Sequence, residues 1–427
     1  MTQIRETSGR KKQIITDQFD VLVIGGGPAG LMAAGRAAEC GARVALVEKN
    51  DRYGIKLLMS GNGRCNITQD ADDLVELSKK YKNGRFLLSA FNAFPPAEMR
   101  IFLQSLGIET KVEKNGKIYP VSDQGRDVLD ALYQYCRSGG VNFFHSDEVM
   151  DIMYSNGSIE KVVTKKKEIA ADHYIFAVGG KSYPSSGSNG RGYAWAQKIG
   201  HTIIEPQPCL VPIRVREEWI AQAQGISAHN VMLAVFVDGK NVGKEKGDVM
   251  FAHYGLSGPA ALNISRLVQK YHDSDQVEIT VDIKPDLSFA QVDEIVRKEF
   301  EKNAGKNIEN CLGDFASPRL LELIFSCSGL DRKKHAGNVS KEDREKVSKL
   351  FKELRFTVES LFGFEKAMVT SGGISIKEID SKTMQSRIIE NLYFAGEIID
   401  VDGPTGGYNL QICWSTGFVA GQSAAGK

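Results

Sequence analysis

No stretch of about 18 apolar residues occurs in this chain of 427, so nothing in it has the length of a membrane-spanning helix. Its first 17 residues, Met1 to Asp17, are polar and basic, with Ile14-Ile15 as the sole apolar pair, and lack the apolar centre of a secretory signal. They read as a flexible tail. The seven cysteines (Cys40, Cys65, Cys136, Cys209, Cys311, Cys327 and Cys413) are odd in number and never spaced C-x-x-C, which argues against a disulfide framework and for a reducing, cytoplasmic setting. Lys and Arg number 54 against 53 Asp and Glu, so a net charge of +1 supplies no general field for nucleic acid or an anionic membrane. The seven histidines are dispersed, and no His/Cys/Asp/Glu cluster has metal-ligand spacing. What remains is an ordinary globular composition, 42% hydrophobic and 25% charged, with 43 glycines as its one excess.

The glycines have a pattern. Phe19-Asp20-Val21-Leu22-Val23-Ile24 is a β-rich run that leads into Gly25-Gly26-Gly27-Pro28-Ala29-Gly30 and then the Ala-rich stretch Leu31 to Cys40. In such a strand–turn–helix G-x-G-x-x-G, Gly25 makes the tight bend, Gly27 lets a pyrophosphate approach the backbone, and Gly30 lets helix and strand pack closely. The helix start offers free N–H groups and a partial positive charge, so a diphosphate binds there without a lysine. A second strand, Arg43 to Val47, ends in Glu48, 18 positions after Gly30, where a carboxylate would accept ribose hydroxyls. These residues predict a dinucleotide site and leave FAD and NAD open.

Lys56 to Thr68 is a glycine-rich polar loop, too full of turn residues for a helix or central strand. Amphipathic patterning predicts helices near Ala97 to Leu106 and over Gly125 to Ser138, the second capped by Gly139-Gly140. Val141 to Phe144, Glu148 to Ile152 and Tyr174 to Gly180 read as strands, the last closing on Gly179-Gly180, where backbone can pass near a ligand. Pro206, Pro208 and Pro212 then mark a change of texture. The expected division is a tail over 1–17, a dinucleotide domain over 18–205 and 366–427, and an inserted unit over 206–365. That unit should be β-rich over 206–288 and helical over 289–365. Near the end, Asn391 to Glu397 is a strand running into an acidic turn, followed by Gly403-Pro404-Thr405-Gly406-Gly407-Tyr408-Asn409 and the small-residue helix Leu410 to Ala425. A helix start aimed at a flavin would stabilise the charge that reduction places near N1 and O2.

Together these pieces resemble the flavoproteins with two dinucleotide-binding domains, and more closely the family of aminoacetone oxidase-like and bile-acid 4,6-reductase-like enzymes. Its carriers are Ile24 to Gly30, Ser60-Gly61-Asn62-Gly63-Arg64-Cys65-Asn66, Gly179 to Pro184, His253-Tyr254-Gly255-Leu256-Ser257-Gly258-Pro259, Thr370-Ser371-Gly372-Gly373, and Phe394 to Glu397 with Gly406 to Asn409. The resemblance implies an α/β, Rossmann-like, glutathione-reductase-like fold built from both chain ends, non-covalent FAD, and an inserted domain covering the flavin. It implies that Gly25, Gly27 and Gly30 contact the pyrophosphate, with Pro28 and Ala29 between them, and Glu48, beside Lys49, the ribose. Val149 would meet the adenine through its backbone, and Gly396 and Glu397 the ribitol-phosphate region. Ser60, Gly61, Arg64, Cys65 and Asn66 would lie along the flavin, and Gly179, Gly180 and Gly373 complete the cofactor-binding set. Cys413 departs from a usual alanine, and Asn189 and Arg191 from a usual threonine and acidic residue.

Several residues offer chemistry. Cys65 lacks the partner that a flavin disulfide reductase needs, which favours a structural thiol. Arg64 can balance charge on reduced flavin or substrate, or sit in a salt bridge. His253 and Tyr254 are the proton-handling candidates, weighed against a packed turn. Tyr408 and Asn409 can reach a flavin ring or simply follow their glycines. Gly187 to Gly192 has the wrong spacing for a second dinucleotide turn, so NAD(P)H would visit the flavin directly or oxygen would reoxidise it. The expected activity is oxidoreduction of a small organic molecule, either NAD(P)H-dependent reduction of an activated C=C bond or amine oxidation. RNA modification predicts a basic stripe, whereas Arg10-Lys11-Lys12 and Lys165-Lys166-Lys167 look like solvated surface. A non-catalytic redox sensor is a third class.

Overall fold

A computed structural model describes residues 13–14, 19–271 and 276–427. They divide into two compact units, one of Met1–Gln207 with Val369–Lys427 and the other Pro208–Met368. The tail expected over 1–17 lies outside the described residues except for Gln13–Ile14. That pair is no loose end, because it forms a strand parallel to Lys167–Ile169.

The first unit is built on a five-stranded parallel sheet ordered Leu392–Phe394, Ala171–Phe176, Phe19–Ile24, Val44–Val47, Asn142–Phe144. Val21, Leu22 and Val23 are wholly buried, as continuous apolar runs are in parallel strands covered on both faces. Phe19–Ile24 is central. The chain leaves it for Val44–Val47 on one side and later returns to Ala171–Phe176 on the other, so the strand order reverses at the carboxyl end of this strand, where such sheets hold ligands. The expected strand over Tyr174 to Gly180 stops at Phe176, since Gly179 already has φ +71. A four-stranded sheet containing Val149–Ser155 and Ser158–Thr164 adjoins it in sequence.

Helix Pro28–Glu39 opens with proline at its first position, where a missing N–H costs nothing. The terminal helix Tyr408–Ala424 lies against it. The crossing is close because a Cβ on Gly417 would come within 2.6 Å of the Ala29 carbonyl oxygen, and one on Gly421 would overlap that of Ala33. Backbone meets backbone there, and the two chain ends become one core. Gly125–Ser138 is helical as its periodicity predicts. The 56–68 segment corrects the sequence reading: Ile55–Met59 forms a short helix before the 3-10 turn Ser60–Gly63.

The second unit is a closed six-stranded barrel ordered Ile213–Val215, Gly255–Ser257, Lys240–Ala252, Ser227–Val237, Val277–Asp282, Leu354–Leu361. Leu233, Val235, Phe251, Ile279, Val281 and Phe356 fill it. Helices Phe289–Lys302, Pro318–Ser328 and Lys341–Lys352 follow, the first started by a capping box between Ser288 and Gln291. The expected all-helical stretch over 289–365 is wrong at its end. Leu354–Leu361 is the strand that closes the barrel, with Leu354 and Phe356 buried and Arg355 between them exposed. Its period-two signal is only eight residues long and follows a charged helix, which masks it.

Candidate functional site

The turn after Phe19–Ile24 has the three glycines in three different situations. Gly25 has φ +105, and a Cβ there would lie 2.5 Å from the Ala177 carbonyl oxygen. A Cβ on Gly30 would overlap the Gly25 carbonyl oxygen. Gly27, the residue capping the helix, would meet nothing within 4 Å, and no side chain caps the helix. Two glycines therefore hold the turn against its neighbours, while the middle one borders open space before uncapped N–H groups. That is the form of a cradle for a diphosphate.

Glu48 ends Val44–Val47 beside this turn. Its Oε2 accepts from Gly26 N at 2.7 Å and its Oε1 from Asn50 N at 2.8 Å, with the residue 9% exposed. Backbone N–H groups thus fix the carboxylate while each oxygen keeps a lone pair for a ribose hydroxyl. Lys49 follows; burial holds its ammonium below the ordinary lysine range against the pull of Glu148 and Glu48. Val149 is buried at the start of its strand. The preceding Glu148 pairs with Lys165 at 2.5 Å and with Arg191, so the arginine that departs from the family pattern is tied to the start of this strand.

From the other chain end, Gly396 reaches the same helix start, where a Cβ on it would lie 2.8 Å from Ala29 Cβ. Next to it the Glu397 carboxylate accepts from Thr370 N (2.7 Å), Ser182 Oγ (2.6 Å) and Lys56 Nζ (2.6 Å). Gly179 and Gly180 lead into this group, and a Cβ on Gly180 would press on Thr370 Oγ1. A Cβ on Gly373 would lie 2.5 Å from the Ile398 carbonyl oxygen, which fixes that strand against the Gly396–Ile398 turn. Lys56, Ser182 and Thr370 were not among the expected site residues. Ser182 and Thr370 lie inside the family's motif runs, but their convergence with Lys56 comes from contacts 126 to 341 residues apart.

Ser60 and Gly61 form the 3-10 turn, and Ser60 Oγ donates to the Leu57 carbonyl oxygen at 2.7 Å. Cys65 is fully buried, and burial pushes its thiol up to about 12, which keeps it protonated and unreactive. Arg64 carries a correction. Its guanidinium bonds Asp123 at 2.6 and 2.8 Å, pairs with Glu113 and lies 4.0 Å over the Tyr119 ring, so the charge offered for a flavin or substrate is already matched. Asn66, with its amide oxygen toward Gly407 N at 3.1 Å, ties this loop to the cap of the terminal helix. Gly407, at φ +95, has Thr68 carbonyl oxygen where a Cβ would be, and Gln69 Nε2 donates to the Gly406 carbonyl at 2.5 Å.

Asn409 holds its own turn, accepting from Gly403 N (2.9 Å) and donating to the Gly403 (2.9 Å) and Pro404 (3.1 Å) carbonyls, which engages both ends of the amide. Tyr408 packs edge-on against Tyr81, with ring centroids 5.6 Å apart. Cys413 Sγ lies 3.5 Å from where a Gly396 Cβ would be, and burial raises its thiol to about 12.

In the barrel unit, His253 and Tyr254 are the two-residue tip of a hairpin, closed by the Ala252 and Gly255 pair. His253 is exposed, 4.9 Å from the Tyr254 ring, and Tyr254 packs on Phe362 at 4.6 Å. No group of metal-ligating side chains occurs among the described residues, and none of their helices is long and apolar enough to cross a membrane.

A parallel sheet with a reversal point, an open glycine cradle and a second glycine-turned helix from the far chain end define a dinucleotide-binding flavoprotein fold. The model of the HI0933-like protein Rossmann domain matches residues 19–423, and the chain belongs to that family of FAD-dependent oxidoreductases. It is 31% identical over 94% of its length to the 3-dehydro-bile acid delta(4,6)-reductase of Clostridium scindens, covering 98% of that protein. It is 27% identical over 95% of its length to the ribosomal RNA dihydrouridine synthase of Escherichia coli, covering 98% of that protein. Among solved structures, the 3-ketosteroid delta1-dehydrogenase of Sterolibacterium denitrificans shares the fold, with a TM-score of 0.54 and 13% identity over 96% of this chain and 100% of that one.

Proposed function

We propose that the protein uses NAD(P)H to saturate a C=C bond conjugated to a carbonyl, on a small molecule of the bile-acid or steroid kind. The observation that carries this reading is the end-to-end similarity to a delta(4,6)-reductase of 3-dehydro-bile acids. The residues described above suit FAD: Gly25, Gly27 and Gly30 would hold the diphosphate, Glu48 the ribose, and the start of the terminal helix the flavin's charge on reduction. Bound FAD would supply hydride exchange at flavin N5.

Saturation takes one proton for each hydride, and the chain offers His253 and Tyr254 as its donors. Cys65, fully buried, stays protonated and serves packing, not electron transfer. A second reading, reduction of uridine in RNA, is favoured by the similarity to the dihydrouridine synthase; dihydrouridine is uridine saturated at a C=C bond conjugated to a carbonyl. The near-neutral charge balance favours the small molecule.

Anaerobic mixing with NADH and NADPH, followed by a 3-oxo-4,6-diene bile acid or by unmodified ribosomal RNA, separates the readings. The expected result is bleaching by one nicotinamide and recovery of colour with the bile acid. Recovery with RNA alone would replace the small-molecule reading, and no bleaching by either donor would shift the activity to amine oxidation with oxygen.

A further inference from the structure

Glu397 stands where a carboxylate is least welcome. Its neighbour Gly396 touches the first turn of helix Pro28–Glu39, the turn that would receive a diphosphate, and like charges at short range repel most where water is partly excluded. Four separate segments meet to manage that charge. Lys56 comes from the short helix Ile55–Met59, Ser182 from the loop after Ala171–Phe176, Thr370 from strand Val369–Ile374, and Glu397 from the turn Gly396–Ile398.

The connections close on themselves. Lys56 Nζ donates to Glu397 Oε2 and to Ser182 Oγ, both at 2.6 Å. Ser182 Oγ donates to Glu397 Oε1 at 2.6 Å, and Thr370 N donates to the same oxygen at 2.7 Å. Thr370 Oγ1 in turn accepts from Lys181 N (2.8 Å) and Ser182 N (3.1 Å). Ser182 and Thr370 are wholly buried, and the Lys56 and Glu397 side chains are 24% and 16% exposed. With three donors already directed at it, Glu397 is poorly placed to serve as the main acceptor for a ribityl hydroxyl.

We infer that Lys56 is a cofactor-retaining residue: its ammonium cancels the Glu397 charge beside the diphosphate cradle, and Glu397, through Ser182 and Thr370, positions that lysine. The inference rests on FAD being the cofactor and not on the reaction proposed above. Lys56 Nζ is joined to the helix start through Glu397 and its neighbour Gly396, and its two hydrogen bonds use two of its three N–H groups. Glu397 is thereby a positioning residue.

The test is titration of deflavinated full-length protein with FAD, followed by flavin fluorescence, in wild type, Lys56→Met, Lys56→Arg, Glu397→Gln and the Lys56→Met/Glu397→Gln double variant. Lys56→Met should bind FAD about tenfold more weakly or worse, because it leaves a carboxylate uncompensated. Lys56→Arg should recover most of the loss, and the double variant should bind more tightly than Lys56→Met, since both charges are gone. Glu397→Gln should bind at least as tightly as wild type. Wild-type affinity in Lys56→Met, or a double variant no tighter than it, would overturn the inference. If Lys56→Met does not fold, Glu397→Gln decides: a large loss of FAD there would mean that Glu397 holds the cofactor itself. Turnover is not measured, so failure of the proposed reaction leaves these outcomes readable, and failure of wild type to take up FAD would instead strike at the cofactor assignment.

Discussion

The dinucleotide unit buries the carboxylates Glu48, Asp147, Asp400 and Asp402, whereas the buried polar side chains described in the barrel unit are the hydroxyls of Ser265, Thr280 and Ser348. A buried carboxylate is costly unless donors reach it, and Glu48 and Asp400 each have them. Asp400 shows the pattern, held by Lys82 Nζ at 2.7 Å and Asn83 Nδ2 at 3.1 Å. The barrel unit has no buried carboxylate among its described residues, and its Arg344 pair with Asp293, at 2.9 Å between two helices, is part-buried. The difference separates the two units: one keeps carboxylates buried, with Glu48 held beside the glycine cradle, and the other has an apolar interior.

Glycines give the sharpest way to break this contrast. Gly421→Val should cost about 3 kcal/mol or more, because overpacking falls on rigid backbone at Ala33. Since the same crossing joins both halves of the cradle, flavin content should fall with thermal stability. Retention of full flavin in a destabilised Gly421→Val would uncouple the helix crossing from the cofactor. Gly255→Val attacks the barrel, where φ is +146 and a Cβ would overlap the Ile213 carbonyl oxygen. A loss of about 2 kcal/mol is expected from such a position. Calorimetry should show the barrel transition lowered while flavin per folded molecule stays at the wild-type level; parallel loss of flavin would erase the distinction between the units.

The smallest effect concerns pH. His201 is buried, bonded to Ser386 Oγ at 2.8 Å and packed on Phe394, and burial holds its imidazole below 6.5. Its protonated form is therefore disfavoured in the fold. The stability that it contributes is complete above the unfolded value of 6.5 and is lost as pH falls through the lowered folded value. Melting temperatures of wild type and His201→Asn should converge on acidification, and parallel curves between pH 7 and 5 would show that burial does not perturb this ring.

Much of the cradle was legible because its signal is local. Strand, glycine turn, helix and Glu48 lie within 30 consecutive residues, and each glycine's duty follows from the spacing. The helix Gly125–Ser138 was readable for a similar reason, as an uninterrupted amphipathic period. The partners of Arg64 were not, since Glu113 and Asp123 lie 49 and 59 residues away and no pattern links them to a glycine loop. Asn409 looked like a ligand contact because it follows two glycines, yet its amide closes the turn six residues before it. Lys56 was invisible as a site residue for a third reason: a lone lysine in a polar loop has no spacing to betray a carboxylate 341 residues on.

Spectroscopic FAD content of purified Gly27→Val, set beside the melting temperature of the same protein after deflavination, tests the cradle most directly. A Cβ at Gly27 meets no protein atom within 4 Å, whereas one at Gly30 overlaps backbone. Gly27→Val should therefore melt like deflavinated wild type and carry almost no FAD, while Gly30→Val should lose stability as well. A yellow Gly27→Val with wild-type FAD content would contradict the account.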